Sequence, residues 1–212
     1  MESKLVDVEQ RVKRYWYTDG IGELIGGGMF CLLGIYFALQ EVLGQNSTLG
    51  GILQASFVLL MIGGVFVSRR LINTLKTLLT YPRTGYVEYQ VDERGIRGRR
   101  ILAVVLAFMI SALTIVFVRL FQFFDSVMAV TGLIVALILV VLRTKSSGLA
   151  RFYVLGAISL VLGLALSLSG LPNGYSLGLF YGLMGVCSLI SGGLTLRRYL
   201  KENPLPAETG NG

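Results

Sequence analysis

Histidine is absent from all 212 residues. That removes the commonest general base and the commonest metal ligand together. Cysteine is nearly absent: Cys31 and Cys187 each sit inside a long apolar run, where they read as small buried thiols and not as a disulfide framework or a metal site. Charge is scarce too, at 15 % of residues against 54 % hydrophobic. The chain carries no Walker loop, no GxSxG, no HExxH and no CxxC, the short strings that most often announce phosphate, acyl, zinc or redox chemistry. No acidic residue falls at the middle of an apolar run, and no run is interrupted by proline. Proton- and sodium-coupled carriers usually need one or both. The opening stretch MESKLVDVEQRVKRYWY is densely charged, with no apolar core and no small-residue cleavage site, so no secretory signal is expected. No catalytic residue, metal ligand or cofactor is expected.

What the chain has in quantity is hydrophobic length. Its mean hydropathy is +0.71, and the apolar residues come in blocks, at about 20–43, 51–68, 101–121, 126–142, 150–169 and 176–196. A bilayer core of about 30 Å takes about 20 helical residues to cross. The expected fold is therefore an all-α integral membrane protein with six transmembrane helices as three hairpins. The shortest block, 126–142, reaches across only if nearly upright. Residues 1–18 place Leu5, Val8, Val12 and Trp16 at helical spacing among charges. They predict an amphipathic interfacial helix, anchored by Tyr15, Trp16 and Tyr17. Thr18-Asp19-Gly20 then breaks it and caps span one. A membrane domain over 19–197 and a tail over 198–212 complete the division.

Lysine and arginine set the orientation. They fall before span one, in the 69–100 loop, between spans four and five, and in the tail; Arg119 alone falls on the other side. Both termini are expected to be cytoplasmic, in a multi-pass protein of a prokaryotic cytoplasmic (inner) membrane. The net charge of +7 follows from this rule and gives no reason to expect nucleic acid as a partner. The opposite loops, EVLGQNSTLGG, FQFFDS and SGLPNGYS, are too short for a receptor domain. Asn46-Ser47-Thr48 matches a glycosylation acceptor, a match frequent by chance.

Small residues predict how the spans pack, since lipid supplies no hydrophobic push between helices and close backbone approach must do so. Gly174, Gly178, Gly182 and Gly185 line one face of span six. Gly156, Ser159, Gly163 and Ser167 line span five, and Gly27, Cys31, Gly34 and Ala38 line span one. The expectation is a tight hairpin of spans five and six. The alternative turns the span-six stripe toward a second copy, as a homo-oligomer. Gly63-Gly64 before Arg69-Arg70 is echoed by Gly192-Gly193 before Arg197-Arg198. Topology and packing explain that echo as readily as duplication does.

Charges within spans are functional candidates, because a charge at mid-bilayer costs about 3 kcal/mol or more. Two arise. Glu23 lies one turn inside span one, where it can favour the helix N-terminus, meet water, or meet an arginine from a neighbouring loop. Arg119 lies deeper, with Asp125 and Glu41 as candidate partners, or snorkels outward. The other candidate site is the loop after span two. Residues 69–79, RRLINTLKTLL, continue span two as an amphipathic helix along the headgroups, with Arg70, Asn73, Lys76 and Thr77 on the wet side and Pro82 as its stop. Residues 86–91, YVEYQV, alternate like a short strand. Between them Tyr81, Pro82, Arg83, Gly85 and Tyr86 are grouped closely. Pro82 and Gly85 fix a turn, the tyrosines anchor at the interface, and Arg83 is left to reach a phosphate or carboxylate.

YPRTGYV, with the DGIGEL opening of span one, resembles a motif of uncharacterised polytopic membrane proteins of bacteria and archaea. The resemblance covers about seven residues of the loop and implies no function. The residues themselves favour a non-enzymatic accessory or scaffold subunit, its basic cytoplasmic face meeting a protein partner or anionic membrane lipids. The alternatives are a small permease for an uncharged or amphiphilic solute and, third, a lipid-modifying enzyme.

Overall fold

The computed structural model describes residues 18–44, 47–84, 126–145 and 150–204. Every element among them is helical: α1 (Ile21–Leu43), α2 (Thr48–Leu75), α3 (Ser126–Lys145), α4 (Arg151–Ser167) and α5 (Asn173–Glu202). Helix α2 runs on through a π-helical stretch, Lys76–Thr80, into a last α-turn, Tyr81–Thr84. Three helices are long and apolar enough to cross a membrane: α1, the continuous rod Thr48–Arg83, and α5. With α3 and α4 as shorter apolar helices beside them, the chain is a membrane-embedded, all-helical protein. The rod has 36 residues, about 54 Å at α-helical rise, and so outruns a bilayer core.

Local chemistry sets the helix starts. Gly20 is left-handed at φ 75°, and the Ile21 N–H donates to Asp19 Oδ1 at 3.1 Å. Only glycine fits that corner. A Cβ there would come within 2.7 Å of the Gly192 carbonyl oxygen and 2.8 Å of Thr195 Cβ. Ser47 caps α2, its hydroxyl accepting from the Gly50 N–H at 2.9 Å, so the middle residue of Asn46-Ser47-Thr48 has an ordinary capping role.

The glycine stripes do pack within the chain, but with partners other than those expected. Helix α5 presses its stripe on α1. A Cβ on Gly34 would lie 2.6 Å from the Gly182 nitrogen, and one on Gly27 2.8 Å from the Leu189 nitrogen. Gly185 approaches Cys31 and Gly27, Gly178 faces Ala38, and Gly174 faces the Glu41 side chain. Helix α4 presses its own stripe on α3. Gly163 lies against Gly132, where a Cβ would sit 2.8 Å from the Gly132 Cα, and the Ser159 hydroxyl donates to the Gly132 carbonyl at 2.9 Å. Gly156 faces Ala136 at ordinary contact distance. Stripes on spans five and six therefore do not meet each other. Two small-residue faces zip best when their spacings match residue for residue, and span one supplies that match for span six. Between the two pairs, Met128, Val135, Leu139, Phe152, Leu155, Leu166, Phe180 and Met184 form the apolar core.

Pro82 sits in the last described turn of the rod, Tyr81–Thr84, close to where the sequence places its stop. Its ring crowds the carbonyl four residues back and it has no N–H to donate there. The π register just before it takes up that misfit, and the Tyr81 N–H reaches back to the Lys76 carbonyl. The amphipathic reading of 69–79 also needs correction. Lys76 was placed on the wet side, yet it is buried, while Leu71 and Leu78 are exposed.

Candidate functional site

Glycine contacts between α1 and α5, and the returns through α2 and α4, bring four helix ends together: the starts of α1 and α4, and the ends of α2 and α5. Nearly every ionisable side chain of the described spans collects here. Asp19 and Lys76 form one ion pair, Oδ2 to Nζ at 3.1 Å, with side chains only 1 % and 3 % exposed. The Thr80 hydroxyl donates to the same carboxylate oxygen at 3.3 Å, and Asp19 Oδ1 holds the Ile21 N–H. Both oxygens of this buried acid are thus occupied. The π stretch is what aims Lys76 and Thr80, four residues apart, at one point.

A second, partly buried pair lies one turn along α1. Glu23 Oε1 meets Arg151 Nε, while Glu23 Oε2 accepts from the Ser191 hydroxyl at 2.8 Å. Arg151 also donates to the Thr195 hydroxyl at 3.0 Å, and its guanidinium lies over the Phe152 ring at 5.5 Å. Of the roles open to Glu23 on sequence grounds, two coincide here: it lies in the first turn of α1 and meets the arginine that opens α4.

The third contact corrects the expectation for Arg83. Its guanidinium turns inward, donating to the Asn203 carbonyl at 2.7 Å and the Leu200 carbonyl at 3.4 Å. Those are carbonyls of the last turn of α5, which lack helical partners and carry the negative end of the dipole. Arg83 therefore caps α5, and does not stand free to reach a phosphate. Beside it Tyr81 is half-buried and Pro82 exposed. Gly85, Tyr86 and Arg119, the segment 86–91, the first 17 residues and the tail beyond 204 lie outside the described residues.

What this cluster can do chemically is bind helices to one another. Among the described residues, no three His, Cys, Asp or Glu side chains come together as they would around a metal ion. The sequence reading missed the Asp19–Lys76 pair and Gly132. Lys76 looked like one more loop cation, and its signal was indirect: an acid at the start of span one needs a cation at the same membrane face. Asp19, at the head of DGIGEL, is joined to Lys76 and Thr80 of the stretch just before Tyr81. Toward the opposite end, α1 and α2 border an open cavity of about 180 Å³, lined by Tyr36, Phe37, Gln40, Gln54 and Phe57. No protein-family profile, curated protein or solved structure gives a match to this chain.

Proposed function

We propose that the chain is a six-span protein of a prokaryotic cytoplasmic membrane, with both termini cytoplasmic, acting as a non-enzymatic accessory or scaffold subunit. The six-span count is supported by where the described segments lie. The chain leaves one end of the bundle at Thr84 and re-enters at the opposite end at Ser126, which favours a further crossing between them. The scaffold reading rests on one observation: the charged end is cross-braced. One buried and one partly buried ion pair and the Arg83 cap tie α1, α2, α4 and α5 together just where the basic face begins. Such an end presents its cations in a defined arrangement.

With Arg83 on the α5 carbonyls, the described side chains that offer themselves to a partner or an anionic lipid include the exposed Arg69, Arg70, Arg197 and Lys201. A cation beside an anionic bilayer surface gains about 1 kcal/mol. Replacing all four by serine should abolish capture of the protein partner from gently solubilised membranes while leaving the melting curve unchanged. Capture that survives this change would sink the reading. The cavity between α1 and α2 favours a second function, passage of a small uncharged or amphiphilic solute. That function requires solute flux into liposomes holding the purified protein and loss of flux in Gln54→Leu.

A further inference from the structure

The rod that begins with α2 is held unevenly. Between Thr48 and Leu75 it buries only Gly50. Beyond that, Lys76 and Thr80 are its buried residues. At the end away from the charges, the Tyr36 hydroxyl donates to the Leu53 carbonyl at 3.3 Å and the Tyr36 and Phe57 rings lie 5.1 Å apart. Midway, the tip of Met29 rests against Gly64. At the charged end the rod is held by polar contacts: Asp19 with Lys76 and Thr80, and Arg83 on the α5 carbonyls. The α1–α5 seam beside it needs none of these contacts, being closed by backbone on backbone.

We infer that the rod is a releasable strap, pivoting on the Tyr36–Leu53–Phe57 contact and latched at the charged end by Lys76, Thr80 and Arg83. The physical case rests on the kind of contact chosen. A buried ion pair is a poor general stabiliser compared with packed apolar side chains, and is best suited to fixing one register. It holds at one geometry and gains little elsewhere, which is the behaviour of a catch. The catch is mounted on a π stretch followed by proline. That is a kind of site where helices bend or shift register. Release would swing the last turns of α2 away from α1 and α5, uncover Asp19, and free the final carbonyls of α5. The inference does not depend on the scaffold reading, since a strap of this kind serves a platform or a permease equally.

Spin-label distances on the full chain in lipid nanodiscs test it, in a Cys31→Ala, Cys187→Ala background. Labels at Thr77→Cys and Arg197→Cys report the latched end. Labels at Val42→Cys and Leu49→Cys report the pivot end. All four positions are exposed. With the latch intact, the 77/197 pair should give one narrow distribution. Asp19→Asn should add a longer-distance population of at least several-fold greater weight, with the 42/49 pair unchanged. Lys76→Met should do the same, and Thr80→Val should do so more weakly, which provides a variant that removes a single hydrogen bond if the others fold poorly. An unchanged 77/197 distribution in all three variants overturns the strap. So does a parallel shift of the 42/49 pair, which would mean that α2 detaches as a whole.

Discussion

A carboxylate and an ammonium buried together, as Asp19 and Lys76 are, hold each other only as a pair. Removing one leaves the other desolvated and uncompensated, at a cost of about 3–5 kcal/mol, whereas replacing both with apolar groups of similar size is often tolerated. Asp19→Ala should therefore lower stability by about that amount in a detergent unfolding titration, and Asp19→Leu combined with Lys76→Met should recover most of it. Arg83 makes a different kind of contribution. Its bonds to the Asn203 and Leu200 carbonyls join a charged donor to neutral acceptors, each such bond contributing about 1.5–3 kcal/mol. Arg83→Ala should speed amide exchange over the last turn of α5 while leaving exchange in α1 as it was. Equal acceleration in both helices would show that Arg83 supports the whole bundle and not one helix end.

At the scale of elements, the glycines of the α1–α5 seam are not equivalent. Gly34 has backbone atoms of α5 where its Cβ would go, at 2.6–2.9 Å, while Gly182 has nothing within 4 Å of its own. Gly34→Ala must push α1 and α5 apart, an overpacking cost of about 1–3 kcal/mol. Gly182→Ala should stay within about 0.5 kcal/mol of the parent. A thermal melt of the two variants side by side checks this, and equal costs would contradict the packing described. The sequence pattern marked both as stripe positions, Gly34 on span one and Gly182 on span six, since spacing reveals the face. It could not reveal which glycines touch backbone, because that depends on the crossing point of two helices far apart in the chain. For the same reason α4 was matched with α5 on paper but packs on α3 in the structure.

For the whole molecule, the arrangement of ends is the testable feature. The ends of α2 and α5 meet the starts of α1 and α4, and the α4–α5 turn at Gly170 lies at the opposite end. A Lys201→Cys label should be reached by an impermeant thiol reagent from one membrane face only, and a Ser169→Cys label from the other only. Labelling of both from one face would refute the layout. Much of this layout was legible in the sequence. Hydrophobic length alone called for membrane helices, because an exposed backbone has no partners in lipid and a helix satisfies its own. The distribution of lysine and arginine grouped the helix ends correctly, because each charge carries a desolvation cost that keeps it at the bilayer edge. Which partner each charge finds was decided in three dimensions. Lys76 reads as a solvated cation and Arg83 as a free one until α2 is laid against α1 and α5. Only then does a π stretch before a proline bring Lys76 to Asp19, and Arg83 to carbonyls 117 and 120 residues away. Sequence determines the cost of burying each group, but folding alone sets the distance at which an opposite charge offsets it.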